Sequence, residues 1–292
     1  MKIDIIGACT DLGVAVNGAD KGPIKLKEYE EKNKKINRIY FIDKPKTIKS
    51  TNPKDLKKNL EPTNNFNTKL YERVLKTKKD GNFPIIIGGD HSLAIGSALA
   101  SIKIEEKLGI IWIDAHADYN TFDTTITGSI HGVPLATISD QNGEELTPFF
   151  DGNYYNPKNV VVVGVRDYYP IVEEHENIIK AGVKTYTTEE VKVNTVNIVE
   201  EAFVIASDNT NGVHISFDID VIDPLICPGV SYPTENGISL ETANIILDTI
   251  LKHKDVIKSF DLVEYNPSRD IDGKTHEIVL ELLDRIIDKF AE

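Results

Sequence analysis

The chain of 292 residues has few cysteines, no long apolar run and no excess of basic residues. Its two cysteines, Cys9 and Cys227, are far apart, which argues against a disulfide scaffold or a cysteine-based metal motif. No run approaches the roughly 20 apolar residues of a membrane-spanning helix, and the first residues lack the apolar stretch of a secretory signal. We therefore expect a protein of the reducing cytoplasm.

Acidic residues outnumber basic ones by 46 to 33, which gives a formal net charge of −13. Nucleic acid and anionic membrane surfaces would repel such a chain, so neither is expected as a partner. The lysine-rich stretch 44–58 is expected to be a mobile, solvated surface segment rather than a binding site. The length and the ordinary composition fit one α/β catalytic domain over residues 1–292.

Short runs rich in valine and isoleucine alternate with longer stretches of helical pattern. The runs show little two-residue alternation, as expected of parallel strands buried on both faces. They lie at 3–7, 38–43, 83–87, 108–114, 159–165, 212–218 and 256–265. The helix-like stretches lie at 65–80, 90–103, 171–181, 195–208, 239–253 and 274–291. This β–α alternation predicts a largely parallel sheet with helices on both faces.

Three of the predicted strands run directly into residues that can bind metals. Residues two apart in an extended strand end point the same way, so Asp114, His116 and Asp118 should face one side. The same holds for Asp218 and Asp220. Because the carboxyl ends of parallel strands line a shared crevice, the three segments should meet there. The segments are Gly88-Gly89-Asp90-His91-Ser92, Asp114-Ala115-His116-Ala117-Asp118 and Asp218-Ile219-Asp220.

Such a crevice would hold at least four acidic side chains and one imidazole, without any basic residue among them. Each segment alone has an ordinary explanation, for example a helix cap at Asp90 or Ser92. Together they form a cluster of negative charge that is stable only if carboxylates are protonated or cations neutralise them. Mixed carboxylate and imidazole ligands suit Mn, Mg or Zn, and the excess of carboxylates favours Mn.

At these motifs the chain resembles the arginase/agmatinase/formimidoylglutamase (ureohydrolase) family, and the resemblance runs nearly from end to end. It rests on DLGVAVNGADKGP (11–23), GGDHS (88–92), DAHADYNTFDTTITGSIHGVPLA (114–136), SFDIDVIDP (216–224) and DLVEYNPSRDIDGKT (261–275). The resemblance implies a three-layer α/β/α fold around a mostly parallel sheet of about eight strands. It also implies two bridged Mn²⁺ ions per chain and a homo-oligomer, a trimer or hexamer.

The resemblance implies a role for each motif residue. One ion would be held by His91, Asp114, Asp118 and Asp218, and the other by Asp114, His116, Asp218 and Asp220, with Asp114 and Asp218 bridging. Two cations that share a water lower its pKa enough to supply hydroxide, which can attack a guanidinium or amidine carbon. His131 matches the family's proton-shuttling histidine, and Glu264 matches its substrate-holding glutamate. With the ligand Asp118, these two are the expected catalytic residues.

The residues expected to contact a small guanidino or amidino substrate indicate different substrates. Asn120, Thr127 and Ser129 resemble the loop with which arginases bind an α-carboxylate. Where arginases carry an acidic residue for the α-amino group, this chain has Tyr169, a neutral phenol. A charge-assisted hydrogen bond contributes roughly 1.5–3 kcal/mol. We therefore expect arginine to be a poor substrate relative to a guanidino acid without that ammonium, such as 4-guanidinobutyrate.

Other departures keep the alternatives open. Val221 follows the second aspartate of the D-x-D motif, as in agmatinases, and Ser231-Tyr232-Pro233 replaces the family's G-T-P. The ending EYNPSRDIDGKT (264–275) leans toward formimidoylglutamase. The hypotheses are a guanidino hydrolase of arginase or agmatinase type that releases urea, a formimidoyl hydrolase that releases formamide, and a catalytically silent metal-binding protein. The intact set of ligands argues against the last.

Overall fold

The computed structural model describes residues 2–166 and 172–292, which form one eight-stranded, all-parallel sheet covered by helices. The strands are β1 (Ile3–Cys9), β2 (Ile36–Asp43), β3 (Phe83–Gly88), β4 (Gly109–Ile113), β5 (Val160–Val165), β6 (Lys184–Thr187), β7 (Val213–Asp218) and β8 (Ile257–Val263). The helices are α1 (Gly22–Lys32), α2 (Leu60–Lys79), α3 (Ala94–Glu105), α4 (Pro134–Ile138), α5 (Val172–Ala181), α6 (Thr188–Ala206), α7 (Leu240–Lys252) and α8 (Lys274–Ala291). The strand order is β2-β1-β3-β8-β7-β4-β5-β6.

The sheet separates two hydrophobic cores, which confirms the predicted three-layer α/β/α fold. On β3, Ile85 and Ile87 pack into one core and Ile86 into the other. Helices α1, α6, α7 and α8 cover the first core, and α2, α3, α4 and α5 cover the second. Because both faces of each central strand are buried, most positions of these strands carry apolar side chains. This explains the continuous apolar runs of the sequence.

The sequence pattern did not predict β6, α1 or α4. Strand β6 has four residues and lies at the edge of the sheet, with Tyr186 as its buried side chain. This strand has no apolar run because only Tyr186 is buried, whereas Lys184 and Thr187 are exposed. None of the helices in the described ranges is long and apolar enough to cross a membrane.

The lysine-rich segment 44–58 forms neither helix nor strand, yet part of it is anchored rather than solvated. Lys49 extends its ammonium group into the loop 11–18. There it donates hydrogen bonds to the carbonyl oxygens of Asp11 at 2.8 Å and Val14 at 3.0 Å. The expectation that this segment is only a solvated excursion is therefore wrong for Lys49.

Candidate metal centre

Several of the predicted site residues lie at the carboxyl ends of four neighbouring strands in the middle of the sheet, β3, β8, β7 and β4. His91 follows β3, Glu264 follows β8, Asp218 ends β7 and Asp114 follows β4. Parallel strands end at the same edge of a sheet, so side chains that are distant in sequence meet there. The structure thus brings the predicted ligand residues together at one end of the sheet.

The first group of donor atoms surrounds the imidazole of His91. Its Nδ1 lies 3.1 Å from Oδ2 of Asp114, 3.3 Å from Oδ2 of Asp118 and 3.2 Å from Oδ2 of Asp218. This nitrogen is buried, and among the described residues none gives it a hydrogen bond of good geometry. A buried nitrogen facing three carboxylate oxygens without a directed hydrogen bond is placed as a metal ligand would be.

The second group surrounds His116. Its Nδ1 lies 3.0 Å from Oδ2 of Asp220 and 3.3 Å from Oδ1 of Asp114. In each group the donor atoms of three residues lie within 4.8 Å of one another: His91, Asp114 and Asp218 in the first, Asp114, His116 and Asp220 in the second. Asp114 belongs to both groups and offers a different oxygen to each. The geometry therefore fits two adjacent cations that share a carboxylate.

The buried carboxylates of the cluster need positive charge to balance them. Burial, together with the charges of Asp220 and Asp114, raises the pKa of Asp218 well above its usual range. Burial and the charge of Asp114 raise the pKa of Asp118 to about 6. Burial alone would lower the pKa of His91, but its carboxylate neighbours raise that pKa well above the usual value. Without metal, protons must balance these charges, and divalent cations would replace them. The mixed carboxylate and imidazole donors fit a divalent cation such as Mn, Mg or Zn.

In both imidazoles the second ring nitrogen, Nε2, contacts a hydroxyl group. Ser216 Oγ lies 2.8 Å from Nε2 of His91, and Thr234 Oγ1 lies 3.2 Å from Nε2 of His116. Such partners fix the ring orientation and the tautomer of a ligand histidine. The sequence analysis missed both. Ser216 could have been found, because it lies two residues before Asp218 on the same face of β7.

Arg166 joins the segment of Asp220 to the segment of Thr234. Its Nη2 donates to the backbone carbonyl oxygens of both residues at 2.8 Å, and its Nη1 donates to that of Val221 at 3.1 Å. The planar guanidinium makes these bonds at fixed angles. The side chain of Arg166 therefore holds the backbone segments around the second donor group in place.

His131 and Glu264 lie beside the first donor group. Oε1 of Glu264 accepts a hydrogen bond from the backbone N–H of His91 at 2.9 Å and lies 3.5 Å from Nδ1 of His131. Oε2 of Glu264 is buried and has no hydrogen-bond partner among the described residues. Burial would lower the pKa of His131, but the hydrogen bond and charge of Glu264 raise it.

Glu264 and Asp118 also have left-handed backbones, with φ of 68° and 50°, a strain typical of functional sites.

The residues predicted to contact the substrate differ in their surroundings. Asn120 and Ser129 are buried, whereas Thr127 is exposed. The hydroxyl of Thr127 accepts a hydrogen bond from the backbone N–H of Ser129 at 3.2 Å, so it stabilises the turn. Tyr169 lies outside the described residues.

Glu174 is a buried acid near the site that the sequence analysis missed. It lies in the first turn of α5, accepts a hydrogen bond from the backbone N–H of Tyr119 at 2.8 Å and interacts with the side chain of Asn120. Burial raises its pKa to about 8 against the effect of the Tyr119 bond, and the charge of Asp118 adds to the rise. Acidic residues are common in first turns, because they interact favourably with the helix dipole. No sequence signal therefore set Glu174 apart.

Comparison with known proteins assigns the family. The model of the arginase family matches residues 1–287. The chain is 34% identical to the arginase of Bacillus subtilis (strain 168) over 297 residues, which cover 98% of both chains. The chain belongs to the arginase family. The native structure of the arginase from Bacillus caldovelox matches with a TM-score of 0.89 at 32% identity, again over 98% of both chains.

A more distant structure of the same fold is the formimidoylglutamase from Bacillus subtilis subsp. subtilis str. 168. It matches with a TM-score of 0.80 at 17% identity, over 100% of this chain and 88% of that one. At this identity the match shows a common fold alone. The predicted family resemblance is thus confirmed, and the protein is an arginase-family hydrolase with a candidate metal site.

Proposed function

We propose that this arginase-family chain hydrolyses a guanidino C–N bond and releases urea, with two manganese ions bound at the strand ends. The observation that carries the proposal is the pair of donor groups that share Asp114. One ion would be held by His91, Asp114, Asp118 and Asp218, and the other by Asp114, His116, Asp218 and Asp220. When bound, two such ions would lower the pKa of water and stabilise developing negative charge.

Glu264 is proposed to orient the guanidinium group of the substrate. Its Oε1 is already fixed by the backbone of His91, whereas its buried Oε2 has no hydrogen-bond partner among the described residues. A buried carboxylate oxygen without a partner is costly, and the planar N–H donors of a guanidinium would satisfy it. The carboxylate of Glu264 would thereby hold the guanidinium carbon of the substrate close to the metal site.

His131 is proposed to deliver the proton that the leaving amine needs. The carboxylate of Glu264, 3.5 Å from Nδ1, raises the pKa of this imidazole and so favours its protonated form, which a general acid needs. Because Glu264 also faces the proposed guanidinium, the proton source lies beside the bond that breaks. His131 therefore acts as general acid.

The opposite end of the substrate is proposed to meet Asn120, Ser129 and Glu174, which supports arginine as the substrate. Glu174 is buried next to Asn120, and a bound α-ammonium would favour the ionised form of its carboxyl, which would then be the anion that a neutral Tyr169 does not supply. Tyr169 suggests the competing prediction, a preference for 4-guanidinobutyrate over arginine. Both ideas concern one pocket, so one set of substrates can decide between them.

The test is a panel of arginine, agmatine, 4-guanidinobutyrate and formimidoylglutamate, assayed for urea and for formamide with Mn-loaded protein. Urea from arginine, with the highest kcat/KM of the panel, is the expected result. Formamide from formimidoylglutamate without urea from any compound would favour the formimidoyl hydrolase. Metal-loaded protein that releases neither product would be a silent metal-binding protein.

We further propose that residues 1–292 act as one cytoplasmic catalytic domain that assembles into a trimer or hexamer. The first part is supported by the single sheet to which the described strands belong. The assembly is an implication of the family resemblance, and sedimentation equilibrium of the metal-loaded protein would test it.

A further inference from the structure

An aromatic ring covers one face of the proposed proton donor. The phenol ring of Tyr232 stacks on the imidazole of His131, with ring centroids 5.0 Å apart and an angle of 27° between the planes. Tyr232 remains 37% exposed, so the stacking does not bury the whole side chain. At this position the family pattern has the threonine of G-T-P, which has no ring to stack.

The backbone around Tyr232 is anchored on both sides. Ser231 before it is buried, and its Oγ accepts a hydrogen bond from Nδ2 of Asn266 at 3.3 Å. Pro233 after it restricts the backbone of Tyr232 to extended conformations. Thr234 is held by His116 and by Arg166. The ring of Tyr232 is therefore presented by a constrained segment rather than by a free loop.

The imidazole of His131 needs such a contact, because its own restraints are weak. The backbone N–H of His131 donates to the carbonyl oxygen of Gly13 at 3.0 Å, which fixes the main chain but not the ring. The torsion that turns a histidine ring is broad and roughly two-fold. The 3.5 Å contact from Nδ1 to Glu264 lies at the limit of a hydrogen bond and restrains only one edge. The stacked face of Tyr232 restrains the plane.

We propose that Tyr232 is a positioning residue that holds the plane of the His131 imidazole, so that Nδ1 stays directed toward Glu264. This inference rests on the proposed role of His131 as proton donor. It makes Tyr232 a determinant of turnover that acts through another side chain. The ring matters for this role and the hydroxyl does not.

The effect should appear in kcat rather than in KM, since a misoriented imidazole delays proton delivery without removing a substrate contact. A stacked aromatic pair stabilises one arrangement enough to change its population about three- to tenfold. We expect Tyr232→Ala to lower kcat by about that factor. Tyr232→Phe should retain the parent kcat, because it keeps the ring.

The decisive experiment is a double-mutant cycle with Mn-loaded protein and arginine or the best substrate of the panel. Tyr232→Ala and Tyr232→Phe are compared in the parent and in a His131→Ala background, with Leu225→Ala as control. Leu225 lies on the same connection between β7 and α7 and is 87% exposed. Its truncation should change kcat in neither background. Metal content and the unfolding midpoint are measured for each variant, so that misfolded protein is recognised.

The expected result is a loss in kcat on Tyr232→Ala in the parent that disappears in the His131→Ala background. Two results overturn the positioning role and leave the proposed function intact. In the first, Tyr232→Ala lowers kcat equally in both backgrounds. In the second, Tyr232→Ala does not lower kcat in the parent, although His131→Ala does. An equal loss in Tyr232→Phe and Tyr232→Ala shows that the hydroxyl matters and also overturns it. A His131→Ala variant that turns over at the parent rate overturns the proton-donor role itself.

Discussion

The hydroxyl of Ser216 lies 2.8 Å from Nε2 of His91, on the side of the ring opposite the carboxylates. If Nδ1 binds a cation, the proton of the neutral imidazole sits on Nε2 and is donated to Ser216 Oγ. Removing such a partner commonly weakens metal binding by about 10- to 100-fold. We predict that Ser216→Ala weakens manganese binding at one of the two positions by that factor, measured by isothermal titration calorimetry.

Ser101→Ala is the matched control for this prediction. Ser101 is also a buried serine, on α3, and its hydroxyl contacts Ser97 and Ser259 rather than a metal ligand. Its removal should lower the unfolding midpoint without changing metal affinity. Equal metal affinities of Ser216→Ala and the parent protein would contradict the role of Ser216 in orienting His91 for metal binding.

The number of ions is a second prediction. Chelated protein reloaded with manganese should bind about two equivalents per chain, as counted by elemental analysis. Asp220→Ala should bind about one, because Asp220 belongs to the second donor group only. Asp255→Ala, which removes an exposed carboxylate, should leave the count unchanged. Saturation of the parent protein at a single equivalent would contradict a binuclear site.

Metal binding and turnover should separate in two variants. His131→Ala is expected to keep its manganese and to lose kcat by about 10²- to 10⁴-fold, the usual contribution of general acid catalysis. Asp218→Ala is expected to lose both, because its carboxylate faces His91 in the first donor group. Parallel measurements of metal content and urea release check this. Full activity in His131→Ala would remove its assigned role.

Glu174 provides a prediction about the substrate. Glu174→Gln keeps the size of the side chain but removes the proposed anion, so KM for arginine should rise by about 10- to 100-fold. KM for 4-guanidinobutyrate, which has no ammonium group, should not change. Glu173→Gln is the control, since Glu173 is the exposed acid of the same helical turn. A rise in KM for both substrates would show a structural effect instead.

Glu174 also predicts a dependence of stability on pH. Burial raises its pKa from 4.5 to about 8, so between these values the folded state holds a proton that the unfolded state releases. The free energy of unfolding therefore contains a contribution that falls as pH rises through this window. Glu174→Gln should lose that contribution, so its unfolding midpoint relative to the chelated parent should increase from pH 5 to pH 8. A difference independent of pH would contradict the raised pKa.

The sequence was sufficient for the parts of the site that follow strands directly. Asp114 and His116 come immediately after the buried run of β4, and their alternation places them on one side. The meeting of these residues with Asp218 follows from parallel strands ending at one edge of the sheet. The three-layer fold follows from apolar runs that are too continuous for a sheet with a solvated face.

Other features depend on contacts that no local pattern encodes. Thr234 meets His116 across 118 positions of sequence, and the course of the chain between them is set by packing. In sequence, Lys49 is indistinguishable from a solvated lysine, although its ammonium binds carbonyl oxygens of the loop 11–18. Glu174 likewise has the pattern of an ordinary helix-starting acid. Such side chains are recognised only by their partners.

The position of β8 in the sheet has a consequence for folding. This last strand lies between β3 and β7, so the segments β2-β1-β3 and β7-β4-β5-β6 are joined only when it is inserted. Until then β3 and β7, at the centre of the sheet, each keep an unpaired edge, and such edges promote association with other chains. Contacts of such long sequence separation also form slowly. Because Glu264 follows β8 directly, we expect the proposed site to be complete only when β8 is inserted, so that an incompletely folded chain has no activity.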